Sequence, residues 1–353
     1  MRRCEVVAWG QPLQMREYPT PTPEGSEVLV RVTVCGVCHS DLHIHQGYFD
    51  LGDGEKLILE ERGTRLPFTP GHEIAGEVVA LGPEAADTGV EVGGEYVVFP
   101  WIGCGRCAVC ARGEENLCPT PRFLGAYEGG GYADHIIVPH PRYLVPFDGL
   151  PRELACTYAC SGVTAWGALG KTGIRRDDQA LLLIGAGGVG MNALALAPSR
   201  VPGPVAVADI DAGKRETALA AGAAAVFDPA DAGAAEAVRQ WSGGGVWAAI
   251  DFVGRPETLR FGLSCLVPKG GRLVVVGLYG GRFPLPVPWL PLRALTLCGS
   301  YVGTLDDLRT VIRLARQGRV PPIPVTLRPL EEANAALEDL AAGRVEGRQV
   351  LVP

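Results

Sequence analysis

Lysine is scarce in this sequence, and basic residues never occur in runs longer than two. The 353 residues contain only 4 lysines beside 28 arginines, and the 39 acidic and 32 basic residues leave a formal net charge of −7. A chain that binds nucleic acid through its phosphates carries a basic patch or stripe, which this composition does not provide. Nucleic acid is therefore not expected as a partner.

An uninterrupted apolar stretch long enough to span a bilayer is also missing. Residues 180–198 are uncharged and come closest to the required length of about 20 residues. The glycine-rich GAGGVG inside them separates a short apolar strand from the start of a helix. The opening MRRCEVVAWGQPLQMREYP contains no apolar segment of the kind that a secretion signal needs. We expect a cytoplasmic protein without a membrane span.

Cysteine, by contrast, is abundant, and four of the eleven cysteines lie within fifteen residues. Disulfide-rich chains are usually secreted and far shorter than this one, so the cluster is interpreted as a metal site. Its members, separated by two, two and seven residues, are Cys104, Cys107, Cys110 and Cys118. Four thiolates match a closed tetrahedral zinc site of the structural kind. An iron–sulfur cluster is the alternative, because a proline follows the last cysteine as in ferredoxin motifs. A redox pair would leave two thiols without a role.

The composition changes along the chain and predicts an α/β protein built from two kinds of sheet. Short strands such as EVLVRVTVCGVC and IAGEVVALG in residues 1–157 predict an antiparallel, barrel-type domain, with the cysteine cluster as a lobe at 100–120. Residues 158–294 alternate apolar strands with alanine-rich helices, which is typical of a doubly wound parallel sheet. Residues 295–353 are predicted to return to the first domain. Their second helical segment should bury Leu330, Ala333, Leu337 and Leu340.

The segment GAGGVG follows a predicted strand and opens a helix, which is the context of a dinucleotide-binding turn. Gly185, Gly187 and Gly190 allow a tight turn and a close approach of backbone N–H groups to a pyrophosphate. Asp209 ends the next strand, where a carboxylate binds the adenosine ribose and repels a 2′-phosphate. This predicts NAD rather than NADP; the alternative is that Asp209 only starts a turn. Pro198 requires the first helix to be short or kinked.

A second set of possible metal ligands is scattered over GVCHSDLH, PGHEIAGE and TYACSGVT. Taken singly, Cys160 is explained as an ordinary buried thiol and His72 as a loop histidine. Together with Cys38 they supply two thiolates and one imidazole. Three protein ligands are typical of a catalytic zinc ion that keeps its fourth position open for a substrate.

On these motifs the sequence resembles the zinc-dependent medium-chain alcohol dehydrogenases over essentially its whole length. The matching segments run in order from GVCHSD and GHEIAG through the cysteine lobe and GAGGVG to GRQVLVP. Within the family the chain is most similar to the tetrameric NAD-dependent enzymes of thermophilic archaea and their bacterial relatives, especially in PRFLGAYEGGGYADHIIVPH. The resemblance implies a GroES-like catalytic domain over 1–157, a Rossmann NAD-binding domain over 158–294, two zinc ions per chain and a homotetramer.

The resemblance also implies a role for each candidate site residue. The catalytic zinc would be held by Cys38, His72 and Cys160, with Asp41 and Glu73 behind it, and the structural zinc by the cysteine lobe. A proton relay would use Ser40 and His43. Beyond the glycine motif and Asp209, cofactor contacts would come from His39, Thr164, Val189, Lys214 and Arg348. The substrate pocket would be lined by Phe49, Trp101, Phe123 and Tyr301.

The expected reaction interconverts an alcohol and a ketone or aldehyde by hydride transfer to and from NAD. A pocket lined by four aromatic side chains favours bulky apolar, secondary or aromatic alcohols over ethanol; the alternative for each ring is an ordinary place in the core. The alternatives are a polyol or threonine-type dehydrogenase of the same family and a nucleotide-binding relative without turnover. Retention of the relay residues argues against the latter. The charged DGEKLILEERG predicts a surface loop.

Overall fold

The computed structural model describes the whole chain, Met1–Pro353. Its strands, numbered in chain order, are β1 (Arg2–Glu5), β2 (Gln14–Glu17), β3 (Val28–Val37), β4 (Tyr48–Gly52), β5 (Glu55–Ile58), β6 (Glu73–Leu81), β7 (Glu95–Val98), β8 (His135–Val138), β9 (Leu144–Pro146), β10 (Leu181–Ile184), β11 (Val205–Ala208), β12 (Ala225–Phe227), β13 (Ala248–Asp251), β14 (Arg272–Val275), β15 (Thr296–Gly299), β16 (Val325–Pro329) and β17 (Arg348–Val352).

The helices are α1 (His39–Gln46), α2 (Ala108–Ala111), α3 (Arg152–Ala155), α4 (Ser161–Gly170), α5 (Gly188–Leu196), α6 (Ala212–Ala220), α7 (Ala234–Trp241), α8 (Pro256–Cys265), α9 (Trp289–Leu292), α10 (Leu305–Arg316) and α11 (Ala333–Ala341). None of them combines the length and the apolar character that crossing a membrane would require.

Six strands form a parallel sheet in the order β12-β11-β10-β13-β14-β15. Its central strand β10 is the continuous apolar run LLLI, because helices cover both faces of the sheet. Leu181 and Leu183 point into the large core that the two main sheets share, and Leu182 and Ile184 point into a second core on the opposite face. The chain leaves β10 toward β11 on one side and returns at β13 on the other. This change of direction opens a crevice at the carboxyl edge of the sheet.

A seven-stranded, mostly antiparallel sheet has the order β16-β17-β3-β6-β7-β9, with β8 also paired to β3. The long strands β3 and β6 run antiparallel, and their register places Gly36 opposite Glu73. Residues that follow β3 therefore lie beside residues that precede β6. Two ribbons, β1–β2 and β4–β5, complete the fold.

The predicted combination of an antiparallel sheet and a doubly wound parallel sheet is confirmed. The helix after the glycine turn is short as predicted, since α5 ends at Leu196 and Pro198 lies in the 3₁₀ turn that follows. The predicted buried face near the C-terminus is also confirmed at Leu330, Ala333, Leu337 and Leu340. The prediction of a loop over DGEKLILEERG is wrong in part, because β5 pairs with β4 there. The domain limits stay a prediction; β15 completes the parallel sheet just beyond residue 294.

Candidate active site and metal centres

Three metal-ligating side chains meet where the two large sheets approach each other. Cys38 directly follows β3, and His72 directly precedes β6, so the antiparallel register brings them together. Cys160 joins them from the residue before α4. Their ligand atoms all lie within 4.8 Å of one another, and all three residues are buried. The structure therefore assembles the scattered set that the sequence suggested.

The geometry of this triad fits a zinc ion. The sulfurs of Cys38 and Cys160 lie 3.9 Å apart, whereas a disulfide would hold them about 2.05 Å apart. Zinc–sulfur bonds of about 2.3 Å in a tetrahedron separate two sulfurs by about 3.8 Å. The hydrogen bond between the sulfurs lowers the pKa of Cys38 well below its ordinary value. Both ring nitrogens of His72 are buried without a hydrogen-bond partner, so one of them is free to bind a zinc ion.

Asp41 holds this centre from behind. It is completely buried on α1, and its Oδ1 lies 3.3 Å from Nδ1 of His72, within ion-pair distance but outside hydrogen-bond geometry. That contact leaves Nε2 of His72 for a metal. Oδ2 of Asp41 accepts hydrogen bonds from the backbone N–H of Cys38 at 2.9 Å and from the hydroxyl of Tyr132 at 3.1 Å. Tyr132 was missed from the sequence, because nothing local marks a partner 91 residues away.

Glu73 forms a buried ion pair with Arg348 next to the triad. Burial raises the pKa of Glu73 to about 7, although the Arg348 charge opposes that shift. Its Oε1 also accepts from the backbone N–H of Ser161 at 3.3 Å, while Oε2 has no partner. A Cβ atom at Gly36 would lie 2.1 Å from that oxygen, so only glycine fits opposite it. The family resemblance implied Glu73 behind the metal, but the pairing of Glu73 with Arg348 was not predicted.

The cysteine lobe forms a second metal centre. Its four sulfurs all lie within 4.8 Å of one another, and Cys107 is 3.5 Å from Cys110 and 3.9 Å from Cys118. These separations match a single tetrahedral zinc and leave no room for the several irons and sulfides of a cluster. The backbone N–H of Arg106 donates to Cys104 and lowers the pKa of that thiol to about 6. The lobe therefore fits structural zinc better than iron–sulfur.

Glu115 anchors the lobe and was not predicted. Its Oε2 accepts from the backbone N–H of Gly103 at 2.9 Å and from the hydroxyl of Tyr143 at 2.7 Å. Its Oε1 forms an ion pair with Arg142 at 2.9 Å. Glu115 is only 7% exposed, and a buried carboxylate needs such partners. The only signal in the sequence was an acidic residue between two metal-binding cysteines.

The glycine turn after β10 has the shape of a phosphate-binding loop. Gly185 adopts a φ of 97°, and a Cβ atom at Gly190 would lie only 1.9 Å from the carbonyl oxygen of Gly185. Nothing lies within 4 Å of a Cβ built on Gly187, so space remains above the N-terminus of α5. Oδ2 of Asp209 accepts from the backbone N–H of Ala186 at 2.7 Å. The loop fits a dinucleotide, with Asp209 both ordering the turn and ending the neighbouring strand.

A cleft of about 40 Å³ opens beside this turn. His39, Gly187, Lys214 and Arg348 all line it, so four predicted cofactor contacts share one space. His39 directly follows the ligand Cys38. Two further predicted contacts lie on the adjoining helices. Thr164 on α4 has a buried hydroxyl with no partner, and Val189 on α5 is half-buried.

The predicted relay residues share one face of α1. Ser40 and His43 are three residues apart and both half-buried. Burial lowers the pKa of His43 below its ordinary value. The ring of Phe49 lies against His43 with centroids 4.8 Å apart. Phe49 is thus placed beside the relay.

Three aromatic side chains form what we call the aromatic wall: Trp101, Phe123 and Tyr301. The Trp101 ring lies 5.4 Å from that of Phe123 and 6.2 Å from that of Tyr301. Trp101 is also 5.2 Å from the imidazole of His72. Trp101 and Phe123 are buried, whereas Tyr301 is 44% exposed. The wall therefore extends from the metal-ligating triad to the surface.

Comparison with known families agrees with this geometry. Residues 24–149 match the family described as "Alcohol dehydrogenase GroES-like domain", and residues 188–317 match "Zinc-binding dehydrogenase". The fold and the two cysteine-containing centres thus define a zinc-binding dehydrogenase.

Similar proteins narrow the class further. The chain is 37% identical to an NAD-dependent alcohol dehydrogenase of Saccharolobus solfataricus and 36% identical to one of Sulfurisphaera tokodaii, with each chain covered completely. It superimposes on the crystal structure of the Aeropyrum pernix alcohol dehydrogenase with a TM-score of 0.90 at 30% identity, again over all of both chains. The chain therefore belongs to the zinc-dependent medium-chain alcohol dehydrogenase family, as the resemblance implied.

Proposed function

We propose that this enzyme interconverts bulky apolar, secondary or aromatic alcohols with their ketones or aldehydes, using NAD. Its cofactors are those of the family, NAD and two zinc ions. The observation that supports the substrate class is the aromatic wall, whose Trp101 ring lies 5.2 Å from His72 of the metal-ligating triad. A ring-lined passage gains free energy by burying an apolar substrate, and an ethanol molecule would contact little of it.

Cys38, His72 and Cys160 would hold the catalytic zinc, and the cysteine lobe the structural zinc. When bound, catalytic zinc supplies a Lewis acid that lowers the pKa of an alcohol hydroxyl, and NAD supplies the hydride acceptor. Asp41 keeps the imidazole of His72 oriented through the 3.3 Å contact at Nδ1. The buried pair of Glu73 and Arg348 keeps a carboxylate behind the triad without adding a net charge to it.

Ser40 and His43 would carry the substrate proton toward solvent. The hydroxyl of Ser40 is the nearer group to the triad in sequence, and His43 lies one turn further along the same face of α1. Because burial lowers its pKa, the imidazole of His43 is neutral at pH 7 and can accept a proton at a ring nitrogen. Phe49 covers one face of that imidazole and would limit its contact with water.

The glycine turn and the cleft beside it would bind NAD. Gly187 leaves the N-terminus of α5 open to a pyrophosphate, and Lys214 adds positive charge to the same cleft, which Arg348 also lines. The unpartnered hydroxyl of Thr164 is available to the nicotinamide end. Asp209 would bind the adenosine ribose, which favours NAD over NADP.

A cytoplasmic homotetramer and the domain limits 157/158 and 294/295 complete the proposal. Support for self-association comes from β15, which is an edge strand of the parallel sheet with an exposed Leu297. Trp289, Leu290 and Leu292 are exposed on the helix that precedes it. Exposed apolar groups next to an unpaired strand edge are typical of an interface.

One experiment separates the candidate functions. Zinc per chain and NAD reduction should be measured with primary, secondary, benzylic and cyclic alcohols, a polyol and threonine. Two zinc ions per chain and the highest kcat/KM on benzylic or cyclic alcohols are expected. Highest activity on the polyol or on threonine would favour those alternatives, and full activity after complete zinc removal would contradict the role of the triad.

A further inference from the structure

Two of the three rings of the aromatic wall belong to the segments that flank the cysteine lobe. Trp101 lies where the chain enters the lobe, and Phe123 lies just after it leaves. The backbone N–H of Leu124 donates to the carbonyl of Pro100 over 3.0 Å and pairs the two segments. The conformation of the lobe therefore directly affects the positions of two rings of the wall.

A side chain of the lobe also holds the third ring. Asn116 is only 6% exposed, and its Nδ2 donates a 3.0 Å hydrogen bond to the backbone carbonyl of Tyr301, 185 residues away. Asn116 lies in the turn between the last two cysteines, Cys110 and Cys118. Glu115 in the same turn is fastened to Gly103 at the start of the lobe. The donor is therefore fixed on the lobe side.

The segment after Tyr301 is held against α4 on its other side. Val302 adopts a φ of 40°, a left-handed conformation that a β-branched residue rarely takes. Its carbonyl oxygen would lie 2.6 Å from a Cβ atom at Gly167, so this approach requires a bare backbone on α4. A strained residue persists only where its surroundings over-determine it. Tyr301 is therefore clamped between the lobe and the helix that follows Cys160.

We propose that Asn116 is a positioning residue that sets the substrate range by holding Tyr301 at the mouth of the pocket. The inference rests on the proposed function, and it assigns the cysteine lobe a part in specificity. Tyr301 is the most exposed ring of the wall, whereas Trp101 is the ring next to His72. A small alcohol at the triad reaches Trp101 only, and a bulky one extends to Tyr301.

Loss of this hydrogen bond should therefore raise KM for a bulky alcohol and leave ethanol unaffected. The ratio of kcat/KM for 1-phenylethanol to that for ethanol should fall about fivefold to tenfold in Asn116→Ala, the factor that one buried hydrogen bond supplies. kcat should change little, because Asn116 touches no reacting group. Asn116→Leu, which keeps the volume and removes the donor, should behave like Asn116→Ala.

The test is a double-mutant cycle on the zinc-loaded enzyme with Asn116→Ala, Tyr301→Ala and their combination. If Asn116 acts through Tyr301, the combined variant should match Tyr301→Ala. Leu117→Ala is the matched control, because Leu117 is the next residue of the lobe and is 52% exposed. Additive effects in the cycle, a wild-type ratio in Asn116→Leu, or an equal fall in Leu117→Ala would overturn the proposal.

A readout without turnover keeps the inference separate from the proposed function. Near-ultraviolet circular dichroism reports the packing of the aromatic wall, and its signal should change in both Asn116 variants and persist in Leu117→Ala. A wild-type enzyme that oxidises no alcohol would contradict the proposed function alone. An unchanged near-ultraviolet spectrum in Asn116→Ala would contradict the positioning role whether or not alcohols are oxidised.

Discussion

Replacing Arg348 by methionine should destabilise the protein strongly, because it leaves the carboxyl group of Glu73 buried in the core without its ionic partner. The side chains of Arg348 and Glu73 are 4% and 0% exposed. Without the guanidinium, Oε1 of Glu73 keeps one long hydrogen bond from Ser161, and Oε2 keeps none. Breaking a buried pair from one side costs about 3–5 kcal/mol.

That cost translates into a measurable shift in melting temperature. An unfolding entropy of about 2.1 cal/mol/K per residue gives about 0.7 kcal/mol/K for this chain. Arg348→Met should therefore melt about 4–7 °C lower than wild type in calorimetry of zinc-loaded protein. The double variant Glu73→Gln/Arg348→Met should recover most of the loss, because no ionisable group then remains buried without its partner. Both variants should bind NAD more weakly, since Arg348 lines the nucleotide cleft.

Arg344→Met provides the matched control. Arg344 lies four residues earlier and pairs with Asp339 at the surface, with its side chain 60% exposed. Exposed pairs are screened by solvent, so this variant should melt close to wild type. A melting temperature of Arg348→Met within about 1 °C of wild type would refute a stabilising role of the buried pair, as would a double variant no more stable than Arg348→Met.

Three further predictions address the metals, the relay and the cofactor. A reductant should leave the melting temperature unchanged, because the sulfurs of Cys107 and Cys110 are 3.5 Å apart and form no disulfide. Elemental analysis of Cys110→Ser should find one zinc ion per chain instead of two. Retention of both zinc ions would count against the lobe site. Burial lowers the pKa of His43 below 6.5. The rate of alcohol oxidation should therefore be at its full value at pH 7 and decline only as the pH falls through that lowered pKa. His43→Asn should be slower and should not show that decline. A His43→Asn profile identical to wild type would remove His43 from the relay. Asp209→Ser should raise the kcat/KM ratio of NADP to NAD by about tenfold or more, because it removes the charge that repels a 2′-phosphate; an unchanged ratio would contradict that role.

Sequence reasoning succeeded where the relevant residues are close in the chain. The four cysteines of the lobe fall within fifteen residues, so their spacing alone restricts where the sulfurs can be. The apolar LLLI followed by GAGGVG likewise predicts a buried strand and a phosphate-binding turn, because strand burial and glycine geometry are local properties. Prediction of the metal-ligating triad also required the family resemblance, since Cys38 and Cys160 are 122 residues apart.

The β4–β5 hairpin shows the opposite case. Charged residues in DGEKLILEERG suggested a loop, yet β5 pairs with β4, and Nζ of Lys56 lies 3.7 Å from the centre of the Tyr48 ring. Such cross-strand contacts stabilise a ribbon and do not appear in the composition of either segment.

The sequence by itself determined the two sheet types, the cysteine lobe and the nucleotide turn, because spacing and periodicity act over a few residues. Only the tertiary structure decided which buried polar groups face each other: Asp41 with Tyr132, Glu73 with Arg348, and Asn116 with Tyr301. Each pair forms because a polar group that is removed from water costs free energy unless it has a partner. Which group becomes the partner depends on how strands and helices that are far apart in the chain pack together.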